Sequence, residues 1–288
     1  MKLVTFQSRG DRRIGMIRGG EVIDLSGDPD LPTDMAAFVA LGEEGLERAR
    51  RVDGAAISLS SVRLLAPITP PNNIMCVGKN YLDHAREFAG SGFDASQKQS
   101  VPDHPVIFTK ARSSVVGPGE PVTVSADPTQ TSDYEGELAV VIGRGGTGIS
   151  AADAWDHVYG YTIVNDMTVR EVQKQHVQFF LGKSASTYCP MGPYLVTADE
   201  ISDVRGLRVR TTVNGDLRQD APVADLIFDI PTLIETISAG VLLQSGDIVA
   251  TGTPAGVGLG FTPPRFLRPG DQVDVSIDHL GTLSNPMT

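Results

Sequence analysis

The sequence is poor in cysteine and tryptophan, with 2 and 1 of them among its 288 residues. Cys76 lies in an apolar, strand-like run and Cys189 directly precedes a proline, and neither spacing fits a metal cluster or a redox pair. We therefore expect both thiols to be reduced and to take no part in the chemistry.

Long apolar runs and positive charge are also scarce. No stretch approaches the roughly 18 apolar residues of a membrane span, and the first residues lack the apolar segment of a signal peptide. With 24 Lys and Arg against 35 Asp and Glu, the net charge is −11. Nucleic acids and anionic membranes bind basic surfaces, so neither is an expected partner. The sequence predicts a cytoplasmic protein in which an anionic substrate meets a locally positive site.

The chain does contain many short strand-like runs. They outnumber the helical patterns and do not alternate with them, which favours a mixed or largely antiparallel β-core, that is, an α+β fold that is mostly β. The turn-rich residues 66–73 predict a boundary between a small N-terminal α/β domain (residues 1–66) and a larger domain (residues 67–288). The predicted strands are residues 2–7, 13–18, 21–25, 74–77, 106–109, 122–124, 137–142, 159–164, 194–197, 208–213, 247–251 and 272–277, and the predicted helices are residues 34–49, 81–88, 151–157, 169–178 and 231–238.

Acidic residues stand within two of the apolar runs. Glu135 and Glu137 are two positions apart, so on a strand their side chains share one face, and Asp166 ends another strand-like run. A buried carboxylate is costly unless a cation compensates it. Three oxygen ligands suit a hard ion such as Mg²⁺ or Mn²⁺, whereas Zn²⁺ prefers His and Cys. We interpret this trio as a metal site.

A second feature is the pair His84 and Glu87. On a helix these residues are three positions apart and share a face, so the carboxylate can orient the imidazole as in general-base catalysis. The same spacing is typical of a solvent-exposed helix with mixed charges, and spacing alone leaves both interpretations open.

Cationic and amide side chains follow Asp166. Arg170 and Gln173 share a face of the next predicted helix, and Lys183 follows a glycine that permits close backbone approach. Together they form a plausible anion cradle. Thr253 lies in a glycine-rich loop that lacks the Gly-Lys-Ser/Thr of a P-loop, and the G-x-G-x-x-G at residues 143–148 precedes its helix instead of opening it, so we expect no nucleotide site.

Several motifs in order resemble those of the fumarylacetoacetate hydrolase family. The resemblance runs from about residue 72 to residue 288 and rests on residues 77–81, 83–84, 133–138, 165–168, 182–184, 213–215, 246–249 and 251–258. It implies a mixed β-roll catalytic domain, usually in a homodimer, with one divalent cation, Mg²⁺ or Mn²⁺, in each subunit.

The resemblance also implies roles for individual residues. Glu135, Glu137 and Asp166 match the metal ligands, His84 and Glu87 match a catalytic dyad on a lid, and Lys183 matches the active-site lysine. Positions that contact substrate or lie near the site are matched by Lys110, Arg170, Gln173 and Thr253.

The implied substrate is a small 2-oxo acid. The first expectation is metal-dependent hydrolysis of the C–C bond of a 2,4-dioxo acid, of acylpyruvate or fumarylpyruvate type, through a stabilised pyruvate enolate. The same site would support decarboxylation or tautomerisation of oxaloacetate, or isomerisation of 2-hydroxyhepta-2,4-diene-1,7-dioate type. A protein that binds a metal or ligand without turnover is the remaining alternative.

Overall fold

The computed structural model describes residues 1–8, 10–93 and 101–288. Over these residues the chain forms eighteen strands and six α-helices. The helices are α1 (Met35–Val39), α2 (Gly42–Arg51), α3 (Leu82–Gly90), α4 (Arg170–His176), α5 (Phe180–Lys183) and α6 (Ile230–Ser238). The strands are β1 (Lys2–Ser8), β2 (Asp11–Arg18), β3 (Glu21–Asp24), β4 (Ala56–Ser58), β5 (Arg63–Leu64), β6 (Ile74–Gly78), β7 (Val106–Lys110), β8 (Val115–Val116), β9 (Ser132–Asp133), β10 (Gly136–Ile142), β11 (Val158–Asn165), β12 (Thr168–Val169), β13 (Cys189–Thr197), β14 (Arg208–Val213), β15 (Asp216–Pro222), β16 (Ile248–Ala250), β17 (Gln272–Ile277) and β18 (Gly281–Pro286).

The main sheet has the strand order β4-β3-β2-β1-β13-β11-β10-β16-β6-β7, with β5 on β1 and β8 on β13. The pairs β16·β6 and β13·β8 are parallel, and the other pairs along the sheet are antiparallel. This arrangement confirms the predicted mostly β fold with a mixed sheet. Because β1 pairs with β13, with Leu3 opposite Leu195, the strands of residues 1–66 continue the sheet of the larger region. The domain boundary at residue 66 stays a prediction.

Strand β10 is buried on both faces, which is why its sequence reads as one apolar run. Leu138 and Val140 pack on one side with the antiparallel sheet β15-β14-β17-β18, for example against Val275. Ala139 and Val141 pack on the opposite side, in the cluster that also contains side chains of α1 and α2. The acidic end of β10 is therefore held in a rigid core.

Three predicted elements differ from the structure. Residues 34–49 form two helices, because Gly42 adopts φ +56° between them; Asp34 caps the first helix by accepting from Ala36 N and Ala37 N. Residues 122–124 form no strand: Val122 makes a single bridge, and a 3₁₀ turn begins at Val124. Residues 151–157 contain only the 3₁₀ turn Ala154–His157. None of the helices that the structure describes has the length and apolar character needed to cross a membrane.

Candidate functional site

The pairing of β10 with β11 brings the three predicted metal ligands together. Glu137 lies opposite Val164, and the ladder continues past the strand ends because Asp166 N donates to Glu135 O at 2.8 Å. Glu135 therefore faces Asp166 across the pair, while Glu135 and Glu137 share a face two residues apart. Each of the three residues offers a carboxylate oxygen within 4.8 Å of the others, and all three side chains are buried.

Two lysines and an arginine surround this acidic trio. Lys183 Nζ donates to Glu135 Oε2 at 2.6 Å and to Asp166 Oδ2 at 2.8 Å. Lys110 Nζ lies 2.7 Å from Asp166 Oδ1, and Arg170 Nη1 lies 2.6 Å from Glu135 Oε1. Ion pairs of this kind are strong only where water is excluded. All three cations are at least 98% buried.

Asp133 joins this network from the neighbouring short strand, and the sequence analysis did not identify it. One of its oxygens accepts from Gly258 N at 2.6 Å and from Tyr134 N at 2.9 Å. The other accepts from Leu259 N at 3.0 Å and from Arg170 Nε at 2.9 Å. Asp133 therefore links the loop after β16 to the arginine that holds Glu135.

The charges of the network do not cancel. Burial raises the pKa of Glu137 well above its ordinary value, and the carboxylates of Asp166 and Glu135 raise it further. Burial also raises the pKa of Glu135, but Lys183 and Arg170 outweigh this effect and lower it to about 2. Burial lowers the pKa of Lys183, yet Asp166 and Glu135 raise it more, so this side chain is an ammonium. Glu137 is thus the carboxyl that lacks a cation.

The donor set fits a hard divalent ion. When Glu137 is ionised, four carboxylates face three cations and one negative charge is in excess, and the trio offers only oxygen donors. Gly252 N donates to Glu137 Oε2 at 2.8 Å and fixes the orientation of this carboxyl. The groups counted are Asp133, Glu135, Glu137 and Asp166 against Lys110, Arg170 and Lys183.

The raised pKa of Glu137 predicts how metal affinity depends on pH. A metal ligand must lose its proton, so below this pKa metal binding has to displace a proton from Glu137. We expect the affinity for Mn²⁺ to fall about tenfold for each pH unit below that pKa and to be independent of Glu137 above it. An ordinary glutamate would produce this fall only below its pKa of 4.5. Titration calorimetry between about pH 5 and 8 measures the effect, and an affinity that stays constant down to about pH 5 would contradict it.

Helix α3 covers the site and carries the predicted dyad. His84 Nδ1 lies 3.3 Å from Glu87 Oε2, and His84 is buried. A carboxylate accepts hydrogen bonds, so Nδ1 carries the proton of the neutral ring and Nε2 is left as the base. The structure thus brings the two residues together in the arrangement that a general base needs, and their catalytic role stays a prediction.

Glu87 also fastens α3 to the loop after β16. Gly256 N lies 3.1 Å from Glu87 Oε1 and 3.2 Å from Oε2. Next to it, Phe88 packs with Val257 and Leu259 in a small apolar cluster. Glu87 and Phe88 therefore hold α3 against this loop through a shared hydrogen bond and apolar contacts.

This closure depends on the absence of a side chain at Gly260. A Cβ there would lie 1.8 Å from Glu87 Oε1 and 2.5 Å from its Cγ, so Glu87 would have to leave its position. We expect Gly260→Ala to lower kcat about 10- to 100-fold, since the imidazole loses its orienting partner, while metal affinity stays within about threefold. Gly240→Ala is the matched control, because a Cβ at Gly240 meets no atom within 4 Å. Equal activity of the two variants would contradict the role of Glu87.

A narrow cavity lies between α3 and the acidic trio. Its volume is about 20 Å³, room for one or two water molecules. Six of the predicted site residues and three phenylalanines line it. The lining residues are Val77, Gly78, Lys79, His84, Phe88, Phe108, Glu135, Arg170, Gln173, Phe179, Lys183 and Thr253.

Two predicted substrate contacts have other partners in the structure. Lys110 does not line the cavity; its Nζ faces Asp166 and donates to Met167 O at 2.9 Å and to Lys183 O. Thr253 lines the cavity, but its hydroxyl donates to Gly136 O at 3.0 Å and accepts from Gln219 Nε2 at 2.7 Å. Direct contact of these two residues with substrate stays a prediction.

Comparisons with known proteins find a matching family model and several similar proteins. A family model described as fumarylacetoacetate (FAA) hydrolase C-terminal matches residues 73–288. The oxaloacetate tautomerase YisK of Bacillus subtilis is 57% identical over 79% of this chain and 74% of its own length. The mitochondrial oxaloacetate tautomerase fahd2 of Xenopus laevis is 44% identical over 100% of this chain and 90% of its own. The structure of maleylpyruvate hydrolase from Sphingobium sp. SYK-6, in complex with manganese(II) and pyruvate, has 33% identity and a TM-score of 0.79, covering 100% of this chain and 99% of that one.

Proposed function

The chain belongs to the fumarylacetoacetate hydrolase family, and we propose that it catalyses the keto–enol tautomerisation of oxaloacetate with Mg²⁺ or Mn²⁺. Two curated relatives, 57% and 44% identical, are oxaloacetate tautomerases. The observation that carries the proposal is the buried acidic trio with an ammonium group 2.6 and 2.8 Å from two of its oxygens, beside a narrow cavity. Such a site can stabilise the negative charge of an enolate.

The acidic trio, through the cation that it would hold, and Lys183 would stabilise the negative charge of the enolate. Glu135, Glu137 and Asp166 would hold one divalent cation in each subunit, which would supply Lewis-acid stabilisation of the charge on the 2-oxygen. Lys183 stays charged, because its pKa is raised, and would donate a hydrogen bond to the same oxygen. Neither group is consumed in the reaction.

The dyad would move the proton. In the keto form, Nε2 of His84 would take a proton from C3 as the electrons of that bond form the enolate. The imidazolium, steadied by Glu87 at 3.3 Å, would then give the same proton to the 2-oxygen. The product is the enol, His84 is neutral again, and no water is used.

Tautomerisation and hydrolysis differ in what they require besides the metal. Cleavage of a 2,4-dioxo acid requires an attacking water and space for the acyl group beyond C4. Phe88, Phe108 and Phe179 line the cavity and leave about 20 Å³. Oxaloacetate is about as large as acetylpyruvate, so the cavity volume does not separate these two substrates, but tautomerisation of oxaloacetate needs no attacking water.

One assay separates the candidate reactions. Mn²⁺-loaded protein is incubated in turn with oxaloacetate, acetylpyruvate and fumarylpyruvate, while the enol absorbance, CO₂ and released carboxylic acid are followed separately. The Glu137→Gln variant at equal Mn²⁺ concentration corrects for catalysis by free metal. Accelerated tautomerisation of oxaloacetate without CO₂ is the expected result, and no acceleration above the variant would contradict the proposal.

Hydrolysis of a 2,4-dioxo acid is the second candidate. The same His84–Glu87 pair could polarise a water molecule, and the maleylpyruvate hydrolase of Sphingobium sp. SYK-6 is 33% identical to this chain. Release of a carboxylic acid together with pyruvate would favour this reaction. CO₂ alone would favour decarboxylation, and isomerisation of a 2-hydroxydienedioate is tested by adding that compound to the same assay.

We also propose that two copies of the chain form a homodimer. The family resemblance implies a homodimer, and light scattering of the eluted protein would test it. A mass twice that of the monomer is expected. A mass equal to one chain would contradict it.

A further inference from the structure

Strand β15 buries a glutamine and exposes a leucine. Gln219 is completely buried, whereas Leu217 on the same strand is 58% exposed. A buried amide is costly unless its hydrogen bonds are made, and an apolar side chain would fill the same place without that cost. The inverted pattern therefore calls for an explanation in the partners of Gln219.

The amide of Gln219 bonds to two different segments of the site. Its Oε1 accepts from Gly136 N, on strand β10, at 3.0 Å. Its Nε2 donates to Thr253 Oγ1 at 2.7 Å and to Pro254 O at 2.7 Å, both in the loop after β16. A backbone N–H only donates and a carbonyl only accepts, so these partners fix which way the amide points.

These hydrogen bonds form a closed ring around Gly136, the residue between the two glutamates of the acidic trio. Gly136 N donates to Gln219, and Gly136 O accepts from Thr253 Oγ1 at 3.0 Å. Thr253 Oγ1 in turn accepts from Gln219, which completes the ring. A Cβ at Gly136 would collide with Thr211 Oγ1 on β14, so the second sheet lies directly against this residue. The ring therefore fixes the backbone from which both glutamates project.

The loop held by Gln219 also orients two charged side chains through its backbone. Gly252 N donates to Glu137 Oε2 at 2.8 Å, and Gly256 N lies 3.1 Å from Glu87 Oε1. The two loop residues that bond to Gln219 stand between these two glycines in the sequence. One buried amide thus holds the middle of a segment whose ends contact a predicted metal ligand and a member of the dyad.

We propose that Gln219 is a positioning residue of the active site, which holds the loop after β16 against β10 so that Gly252 N reaches Glu137 and Gly256 N reaches Glu87. The kinetic part of this inference rests on the proposed function, whereas the part on loop order and metal affinity does not. Among the described residues that line the cavity, Gln219 is absent, so it acts through its partners and not on the substrate.

The test is the variant Gln219→Met, which keeps the approximate length of the side chain and removes its three hydrogen bonds. Hydrogen exchange of residues 251–260 in the metal-free protein should become about 10-fold faster, because the loop loses its anchor. The Kd for Mn²⁺ should rise about 10-fold, since Glu137 is less well oriented. At saturating Mn²⁺, kcat for oxaloacetate should fall about 10- to 100-fold with the loosened dyad, while KM stays within about threefold.

Two variants of the same sheet are the controls. Thr211 lies opposite Gln219 in the β14·β15 ladder and is fully buried, and its hydroxyl has no hydrogen-bond partner among the described residues. Thr211→Val should therefore leave all four quantities within about twofold. Leu283→Ala removes a buried side chain of β18 and should lower Tm, with the loop, the metal affinity and kcat again within about twofold. It shows what a loss of stability does by itself.

A milder variant serves if Gln219→Met does not fold. Burial favours the neutral form of a glutamic acid, so Gln219→Glu keeps an acceptor for Gly136 N and one donor toward the loop. The same changes are then expected at about 3- to 10-fold.

The outcomes separate this inference from the proposed function. Loop exchange and a Kd for Mn²⁺ within about twofold of the wild-type values in the Gln219 variant would overturn the inference. Equal losses in Leu283→Ala at a matched fall in Tm would also overturn it, because the effect would then be one of stability. Faster exchange and weaker Mn²⁺ binding in the variant, without tautomerisation by the wild type, would support the positioning role and contradict the tautomerase.

Discussion

Glu137→Gln is expected to bind Mn²⁺ at least about 100-fold more weakly and to lose about 10³ in kcat, while the metal-free protein keeps its stability within about 1 kcal/mol. Burial and two neighbouring carboxylates raise the pKa of Glu137 well above its ordinary value, which favours its protonated form in the metal-free site. Glutamine has nearly the shape of that neutral form and can still accept from Gly252 N. Calorimetry with Mn²⁺, initial rates and thermal unfolding in chelator measure the three quantities.

Glu135→Gln is the matched variant, and a different combination of effects is expected. Glu135 is ionised and holds Lys183 at 2.6 Å and Arg170 at 2.6 Å. Its removal leaves two buried cations without this partner, so metal binding and activity are lost together with about 3–5 kcal/mol of stability. Tm in chelator should therefore drop on the order of 10 °C. Equal stability losses in the two variants would contradict the charge assignment within the trio.

His84→Ala is expected to keep the metal and lose the reaction. His84 is not one of the three residues that could hold the metal, so the Kd for Mn²⁺ should stay within about threefold of the wild-type value. Because the general base is lost, kcat should fall about 10²- to 10⁴-fold. The measurement is kcat for oxaloacetate tautomerisation at saturating Mn²⁺, with calorimetry on the same preparation.

His176→Ala is the control for this variant. His176 is an exposed histidine at the end of α4 and should change kcat less than about twofold. If His84→Ala retained half or more of the wild-type kcat, the assigned base would be wrong. If it lost the metal as well, His84 would act on the cation site instead of on a proton.

The acidic trio could be predicted from the sequence because it depends on local periodicity. Two glutamates two residues apart in an apolar run must share a face of a strand, and Asp166 ends the adjacent strand-like run. The antiparallel pairing of β10 with β11 then sets Glu135 opposite Asp166. The His84–Glu87 pair was predictable for a similar reason, since the spacing of three residues is a helix property.

The parts of the site that sequence reasoning missed depend on contacts between distant segments. Asp133 accepts hydrogen bonds from Gly258 and Leu259, more than 120 residues away, and no local pattern predicts them. Lys79 lay within a motif, but its place in the cavity lining depends on a positive φ of 55° next to Asn80, whose Nδ2 donates to the distant Thr251 O. The break between α1 and α2 has a local signal, the glycine at position 42, which the prediction of a single helix over residues 34–49 did not take into account.

The most direct test of the account is the anomalous scattering of crystals grown with an excess of Mn²⁺. The account predicts one peak in each subunit, with one oxygen of Glu135, Glu137 and Asp166 at about 2.0–2.3 Å from it. The absence of a peak between these residues, with Lys183 still bonded to both Glu135 and Asp166, would contradict it.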